Sequence, residues 1–204
     1  MPSKIIYLHG FNSSPQSYKA QLLLKHMAAI GQQKNLIIPD ISPYPDCAIR
    51  QISEIIDAQF LDDESLKLCF VGSSLGGYYS TWFAEKNNSR AALINPSVRP
   101  YETLADYIGE NENFYTNQKW RFNRSHIQQL LDIDIKNITQ PERYLVLLQT
   151  GDEVLDYRQA EKKYSSCHLQ VEEGGEHSFL GFENHIDTIL RFAGINNASQ
   201  NEDK

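Results

Sequence analysis

Short apolar runs alternate with longer segments of helical periodicity along most of the chain. Apolar runs of about four to eight residues are typical of strands buried on both faces, whereas apolar residues three or four apart indicate helices. The predicted strands are Lys4–Leu8, Asn35–Ile38, Leu66–Val71, Ala91–Ile94, Arg143–Gln149 and His168–Val171. The predicted helices are Pro15–Ile30, Ala48–Phe60, Leu75–Asn87, Tyr157–Tyr164 and Glu183–Phe192. This alternation predicts an α/β fold with a mainly parallel sheet covered on both faces by helices.

One long segment interrupts the alternation between the fourth and fifth predicted strands. Residues 98–141 show no clear strand, but they contain six aromatic side chains and a helical stretch near Ser125–Leu131. Long insertions in compact domains often have a function. We therefore interpret the segment as a cap on a single domain of residues 1–195, and we expect the polar residues 196–204 to form a disordered tail.

Composition and charge argue against several classes of function. The chain has 204 residues, of which 41% are hydrophobic and 22% charged, and its net charge of −7 is spread without a basic stripe. We therefore expect no nucleic-acid partner, and no apolar run approaches the roughly 18 residues of a membrane span. The three cysteines form no CxxC pair, so we expect neither a disulfide framework nor a zinc site. Because no signal peptide is recognisable, we expect a cytoplasmic protein.

A glycine–serine turn stands between the third predicted strand and the helix that follows it. Residues 72–76 read Gly-Ser-Ser-Leu-Gly and match the G-x-S-x-G pattern of a nucleophile elbow. In such a turn a strained backbone lifts the serine hydroxyl out of the sheet, and side chains two positions away on either side would collide. Ser74 is therefore the candidate nucleophile, and a turn without chemistry is the alternative.

Two loops further along the chain can supply the base and the acid that a serine nucleophile needs. In this fold the chain order is Ser, then Asp or Glu, then His. Asp152 follows the fifth predicted strand and His177 follows the sixth, so both are expected at the carboxyl edge of the sheet beside Ser74. Glu153 and Asp156 are rivals for the acid, although Asp156 suits the N-cap of the next helix.

Other histidines compete with the one assigned as the base. His168 opens a predicted strand and would lie at the opposite edge of the sheet. His26 and His185 lie inside predicted helices, where solvated or packed side chains are expected. His126 belongs to the insertion, where contact with the substrate is only a minor alternative to a solvated or packed side chain.

Acyl transfer also needs hydrogen-bond donors for the oxyanion that develops. The backbone N–H of Leu75 directly follows the nucleophile and is the first expected donor. The second is the N–H of Phe11, in the loop after the first strand, where Gly10 allows a close approach of the backbone. We interpret the neighbouring His9 as a structural residue that holds this loop.

Several segments together resemble a known family. They are residues 7–15, 72–78, 94–96, 149–157 and 174–179. Through these segments the chain is similar to the YqiA-type esterases, which are short bacterial α/β-hydrolases, over about residues 4–193. The resemblance implies an α/β-hydrolase fold, hydrolysis of short acyl esters or acyl-CoA thioesters without a cofactor, and a triad at Ser74, Asp152 and His177.

The leading interpretation is a serine esterase that hydrolyses carboxylic esters of short acyl chains through an acyl-enzyme. The alternatives are an acyl-CoA thioesterase on the same triad and a non-catalytic binding module on a hydrolase scaffold. The expected partner is a small acyl ester or thioester, without membrane insertion. Four rings of the insertion are predicted to line an apolar acyl pocket, with packing onto the core as the alternative for each. They are Phe114, Tyr115, Trp120 and Phe122.

Overall fold

Each apolar run predicted as a strand forms one strand of a parallel sheet. The structure is a computed structural model and describes residues 3–63 and 65–195, so the predicted tail lies outside the described residues. The strands are β1 (Ser3–Leu8), β2 (Leu36–Ile37), β3 (Lys67–Ser73), β4 (Arg90–Ile94), β5 (Gly109–Glu112), β6 (Lys119–Phe122), β7 (Tyr144–Gln149) and β8 (His168–Glu172). Six of them pair in the order β2-β1-β3-β4-β7-β8, all parallel, which confirms the predicted α/β fold.

Helices cover both faces of this sheet. They are α1 (Tyr18–Ala29), α2 (Pro45–Asp62), α3 (Leu75–Asn87), α4 (Pro100–Thr103), α5 (Arg124–Asp132), α6 (Tyr157–Lys163) and α7 (Ile186–Ala193). The last helix starts later than predicted, because residues 182–185 form a turn of 3-10 helix instead. Among the described residues, no helix combines the length and the hydropathy that crossing a bilayer requires.

Alternating side chains of the central strands divide the core into two layers. Ile6 and Leu8 of β1 pack with α2, α3 and α5, whereas Ile5 and Tyr7 pack with α1 and α7. Successive residues of a strand point to opposite faces, so a strand covered on both sides must be apolar at every position. Each fully buried Leu or Ile contributes about 1.5–3 kcal/mol relative to exposure.

The register of the strands brings five of their carboxyl ends to one edge of the sheet. Leu8 at the end of β1 pairs with Gly72 in β3, and Ser73 pairs with Ile94 at the end of β4. Gln149 at the end of β7 pairs with Glu172 at the end of β8. The loops that follow these strands therefore meet at a single edge.

The insertion contains a β-hairpin that the hydrophobic pattern did not predict. Strands β5 and β6 pair antiparallel with each other. In β6, Trp120 and Phe122 are buried while Lys119 and Arg121 are exposed, but β5 has no apolar residue. The expectation of no clear strand was wrong because each strand has only four residues and the apolar alternation occurs on one of them.

The helix predicted in the insertion is present as α5, and it docks on the main domain. Its N-cap Asn123 accepts hydrogen bonds from the backbone N–H groups of Ser125 (2.9 Å) and His126 (3.3 Å) through Oδ1. Near its other end, the buried Tyr78 hydroxyl of α3 donates to the carbonyl oxygen of Leu130 at 2.7 Å. The insertion is therefore joined to the helix that follows the candidate nucleophile.

Candidate active site

Ser74 occupies a strained turn between β3 and α3. Its φ of 55° and ψ of −122° are unfavourable for a residue with a side chain, and such conformations cost about 1–3 kcal/mol. The turn is held by its neighbours: the Ser74 N–H donates to the Ile94 carbonyl at 3.2 Å, and its carbonyl accepts from the N–H groups of Gly77 (2.9 Å) and Ser97 (3.0 Å). The surrounding structure therefore maintains the strain that places the hydroxyl at the edge of the sheet.

The two glycines of the motif are required by close packing of the backbone. A Cβ atom on Gly72 would lie 2.3 Å from the carbonyl oxygen of Gly76. A Cβ atom on Gly76 would lie 1.9 Å from the carbonyl oxygen of Leu8 in β1. Both distances are far below van der Waals contact, so the steric reason predicted for the motif is present in the fold.

The structure brings the three predicted triad residues together. The Nε2 atom of His177 lies 3.1 Å from Ser74 Oγ, and its Nδ1 lies 2.8 Å from Asp152 Oδ2. The Asp152 side chain is only 2% exposed, and its Oδ1 also accepts from the N–H groups of Val154 (2.9 Å) and Leu155 (2.8 Å). A carboxylate bonded in this way keeps the Nδ1 proton on the ring, which leaves the Nε2 lone pair free to accept from the serine.

The two rival carboxylates have other partners. Asp156 caps α6: its Oδ1 accepts from the Arg158 N–H at 3.1 Å, and the same carboxylate is 2.7 Å from the Arg158 Nε. Glu153 accepts the backbone N–H of His177 at 2.9 Å, and this hydrogen bond holds the pKa of Glu153 below its usual value. Asp156 therefore stabilises its helix as predicted, while Glu153 fixes the backbone of the histidine loop.

Two polar residues at strand ends hold the histidine loop, and the sequence analysis did not assign them a role. Asn95 accepts from the Gln149 N–H at 2.9 Å and donates to the Glu176 carbonyl at 3.0 Å. The Gln149 Oε1 accepts from the N–H groups of Glu176 (3.2 Å) and Leu180 (2.9 Å). The available signal in the sequence was an amide residue directly at the carboxyl end of each of two apolar strands.

The two predicted oxyanion donors lie on the segments that flank Ser74. Leu75 contributes the first N–H of α3, and Phe11 follows Gly10, whose hypothetical Cβ would lie 3.3 Å from Ser74 Cβ. Within residues 3–63 and 65–195, neither N–H donates to a protein acceptor. The geometry thus leaves both groups available to a ligand at the serine.

His9 is held as a structural residue between two loops. Its Nδ1 donates to the Gly10 carbonyl at 3.1 Å, and its Nε2 accepts from the Ile41 N–H at 3.1 Å. The ring is 5% exposed, and burial lowers its pKa, so the neutral form required by these two bonds is favoured. This is the role predicted for it.

The other histidines have positions or partners away from the triad. His168 opens β8 at the amino edge of the sheet, as predicted. His26 Nε2 lies 3.1 Å from Asp187 Oδ1, and His185 Nε2 lies 2.9 Å from Glu172 Oε1. His126 Nδ1 accepts from the Asn123 N–H at the start of α5 at 3.2 Å.

A cavity of about 350 Å³ opens beside the candidate nucleophile. Phe114 and Tyr115 of the insertion line it together with Ser74 and His177, as the pocket hypothesis expects. Trp120 and Phe122 do not line it: they are 7% and 1% exposed and pack edge-on against the ring of Phe11. For these two rings the pocket assignment is corrected, because they face the core from the alternating buried positions of β6.

Two of the three thiols are unsuited to act as nucleophiles, and the described residues form no metal centre. Cys47, Cys69 and Cys167 are free in this part of the chain. Burial raises the pKa of Cys69 to about 12 and that of Cys167 to about 11, which keeps both as unreactive thiols near neutral pH. No group of three or more His, Cys, Asp or Glu side chains in residues 3–63 and 65–195 could hold a metal ion.

Comparison with known proteins agrees with the fold. The mouse alpha/beta hydrolase domain-containing protein 10 is 18% identical, with a TM-score of 0.65, over 95% of this chain and 92% of its own. Est1E from Butyrivibrio proteoclasticus with ferulic acid bound is 16% identical, with a TM-score of 0.66, over 94% of this chain and 88% of its own. At such identities the likeness shows the fold alone.

Sequence comparison gives the family. A UPF0227 protein of Vibrio parahaemolyticus is 26% identical in an alignment of 198 residues that covers 92% of this chain and 98% of the relative. The model of UPF0227, described as an uncharacterised protein family, matches residues 4–194. The chain therefore belongs to the UPF0227 (YqiA-type) family and has the α/β-hydrolase fold.

Proposed function

We propose that the protein is a serine esterase that hydrolyses carboxylic esters of short acyl chains. The observation that carries the proposal is the chain of contacts from Ser74 Oγ through His177 to the buried Asp152, at 3.1 and 2.8 Å, on a strained strand-to-helix turn. Names of related structures point the same way, since the ferulic acid bound in Est1E is a carboxylic acid, the class of product that an ester hydrolase releases.

The acylation step follows from the positions of these atoms. As Ser74 Oγ attacks the ester carbonyl carbon, its proton passes to His177 Nε2, and Asp152 stabilises the imidazolium that results. The carbonyl oxygen becomes an oxyanion that can accept from the N–H groups of Phe11 and Leu75. When the tetrahedral intermediate collapses, His177 returns the proton to the departing alcohol, and an ester bond joins the acyl group to Ser74.

Deacylation uses the same groups in reverse order. A water molecule takes the place of the alcohol and loses a proton to His177 as it attacks the acyl carbon. Collapse of the second intermediate breaks the bond from the acyl carbon to Ser74 Oγ, which takes the proton back from His177, and the carboxylic acid is released. Because only the leaving group differs, a thioester would pass through the same steps with a thiol in place of the alcohol.

Labelling with a fluorophosphonate probe tests the nucleophile directly. The wild-type protein should be labelled, and Ser74→Ala should lose the label together with ester hydrolysis, since loss of a triad serine costs factors of up to about 10⁶ in kcat. Ser73→Ala is the discriminating control, because it removes the adjacent serine of the same turn. Labelling of well-folded Ser74→Ala, or loss of the label only in Ser73→Ala, would contradict the assignment.

A screen of para-nitrophenyl esters and matched thioesters of increasing acyl length tests the substrate class. Short esters should be preferred, because the cavity of about 350 Å³ lies at the small end of ligand pockets. A folded wild-type protein that neither reacts with the probe nor hydrolyses any member of the series would instead be a binding module on a hydrolase scaffold.

A further inference from the structure

One end of the cavity beside Ser74 is polar, unlike its aromatic wall. The start of α1 reaches the cavity there, and Ser17, Tyr18 and Lys19 all line it. Ser17 is the N-cap residue of this helix and Lys19 lies in its first turn. These residues have no part in the proposed triad.

Lys19 is half-buried in the wall of this cavity, where its ammonium group loses part of its contact with water. Its Nζ donates to the backbone carbonyl of Ser178 at 2.7 Å and forms no ion pair with a carboxylate among the described residues. Removing an ammonium group from water without a counter-ion is costly. A cation in the first turn of a helix also faces the positive end of the helix dipole.

The start of α1 leaves backbone donors without a side-chain acceptor at the same place. The Ser17 hydroxyl is buried next to that of Tyr7 and is closed to solvent. It does not cap its own helix, so the first N–H groups of α1 have no side-chain acceptor. The start of α1 and the Lys19 side chain thus form one end of the cavity.

The carboxylates around Lys19 are already engaged. Asp152 binds His177 and two backbone N–H groups, and Glu153 accepts the His177 N–H. Glu176 accepts from the Ser178 hydroxyl. These groups attract the ammonium from a distance without pairing with it, so a bound anion would be its first close partner.

We infer that this end of the cavity binds an anionic group of the substrate, so that the preferred substrates are short esters bearing a carboxylate remote from the scissile bond. The inference rests on the proposed esterase function and deepens it. The carboxylate would lie on the acyl chain or on the alcohol, and either placement uses the same donors: the Lys19 Nζ and the first N–H groups of α1.

The charge state of Lys19 sets the pH range of this recognition. Burial lowers its pKa to about 8, although Asp152 and Glu176 oppose the shift. Glu153, His177, Tyr7, Tyr18 and Tyr115 are the other titratable groups that line the same cavity. Because a lysine is protonated below its pKa, the preference for anionic esters should be full near pH 7 and should fade as the pH rises through about 8.

Matched pairs of esters test the inference. The acyl arm compares para-nitrophenyl hemiglutarate with para-nitrophenyl valerate, and the alcohol arm compares para-carboxyphenyl valerate with its neutral para-carbamoyl analogue. The wild-type protein should prefer the anionic ester in one arm, after correction for spontaneous hydrolysis. Lys19→Met should lower that ratio of kcat/KM values about 10- to 100-fold, the usual effect of losing a hydrogen bond to a charged group.

Two further variants separate recognition from other effects of the substitution. Lys19→Arg keeps the charge and should retain most of the preference, whereas Lys25→Met removes an exposed lysine of the same helix and should leave the ratio at the wild-type value. If Lys19→Met lowered kcat/KM equally for anionic and neutral esters, the inference would be overturned, because Lys19 would then only hold the Ser178 backbone. Absence of any charge preference in an active wild-type protein would also overturn it.

A binding measurement makes the outcome independent of turnover. Calorimetric titration of Ser74→Ala with glutarate should show binding that is lost in the double variant Ser74→Ala/Lys19→Met. If no ester is hydrolysed but glutarate still binds through Lys19, the esterase proposal fails and the anion site stands. If glutarate does not bind, or binds equally to both variants, the anion site is wrong even when esters are hydrolysed.

Discussion

Replacing the aromatic rings of the insertion one at a time distinguishes rings that stabilise the fold from rings that contact the substrate. Phe122 and Phe114 are the sharpest pair, because both are phenylalanines of the same segment. Phe122 is 1% exposed and lies under Phe11, while Phe114 is 74% exposed and lines the cavity beside Ser74. The substitution to Ala removes the same atoms in both cases.

The structure sets the expected magnitudes. Phe122→Ala leaves a cavity among the rings of Phe11, Trp120 and His126, and such losses cost about 3–5 kcal/mol. For a domain of this size about 1 kcal/mol corresponds to about 2–4 °C, so Tm should fall by roughly 6–20 °C. Phe114→Ala removes little buried surface, and its free energy of unfolding should change by less than about 0.5 kcal/mol.

The assay combines thermal unfolding with kcat/KM over a series of acyl lengths. Phe122→Ala should lower Tm while the order of preference among acyl lengths stays that of the wild type. Phe114→Ala should keep Tm and change that order, because the wall of the cavity has moved. Tyr115→Ala should behave like Phe114→Ala, and Trp120→Ala like Phe122→Ala.

Two results would refute this reasoning. One is a Phe114→Ala variant with wild-type Tm and an unchanged acyl-length profile, since that ring would then be neither structural nor part of the pocket. The other is a Phe122→Ala variant with wild-type Tm, because a ring so deeply buried cannot be removed without a cost in packing.

Other substitutions test the turn and the docking of the insertion. Ser74→Gly should be more stable than Ser74→Ala by about 1 kcal/mol, because glycine tolerates the φ of 55°; equal denaturation midpoints would mean that no strain is stored there. Gly76→Ala should not reach the native fold, since its Cβ would meet the Leu8 carbonyl, and a native circular dichroism spectrum would contradict this. Asn12→Gly should lower the free energy of unfolding by about 1–3 kcal/mol, because the Trp120 Nε1 loses its acceptor. Asn12→Ala should lower it by about 1–2 kcal/mol more, because alanine is strained at the φ of 51° that Asn12 adopts. Urea denaturation of the two Asn12 variants checks this order.

The candidate nucleophile followed from a short-range rule, and its two partners followed from a rule of topology. The strain at Ser74 and the need for Gly72 and Gly76 come from backbone sterics within a few residues, so the motif predicts them without the rest of the fold. The positions of Asp152 and His177 followed from one topological rule, that parallel strands end at a common edge. Periodicity likewise predicted the strands of the sheet, because strands buried on both faces are apolar throughout.

The insertion was less predictable because its partners are far away in sequence. Its four-residue strands carry too little apolar pattern to be recognised, and the burial of Trp120 depends on a hydrogen bond to Asn12, 108 positions earlier. Which rings face the core and which face the cavity is therefore decided when the hairpin docks on the loop after β1. A list of aromatic residues does not contain that information.

Lys19 shows the same limit for chemistry. In the sequence it is one lysine among several in a helix, and nothing local distinguishes it from Lys25. The fold places its ammonium beside Ser178 and in the cavity of Ser74, where it loses water without gaining a carboxylate partner. The sequence by itself determined the backbone turn and the edge where chemistry can occur, since those depend on local sterics and strand direction. The environment of each side chain at that edge was decided by the tertiary structure, because burial and electrostatic partners arise only from packing distant segments together.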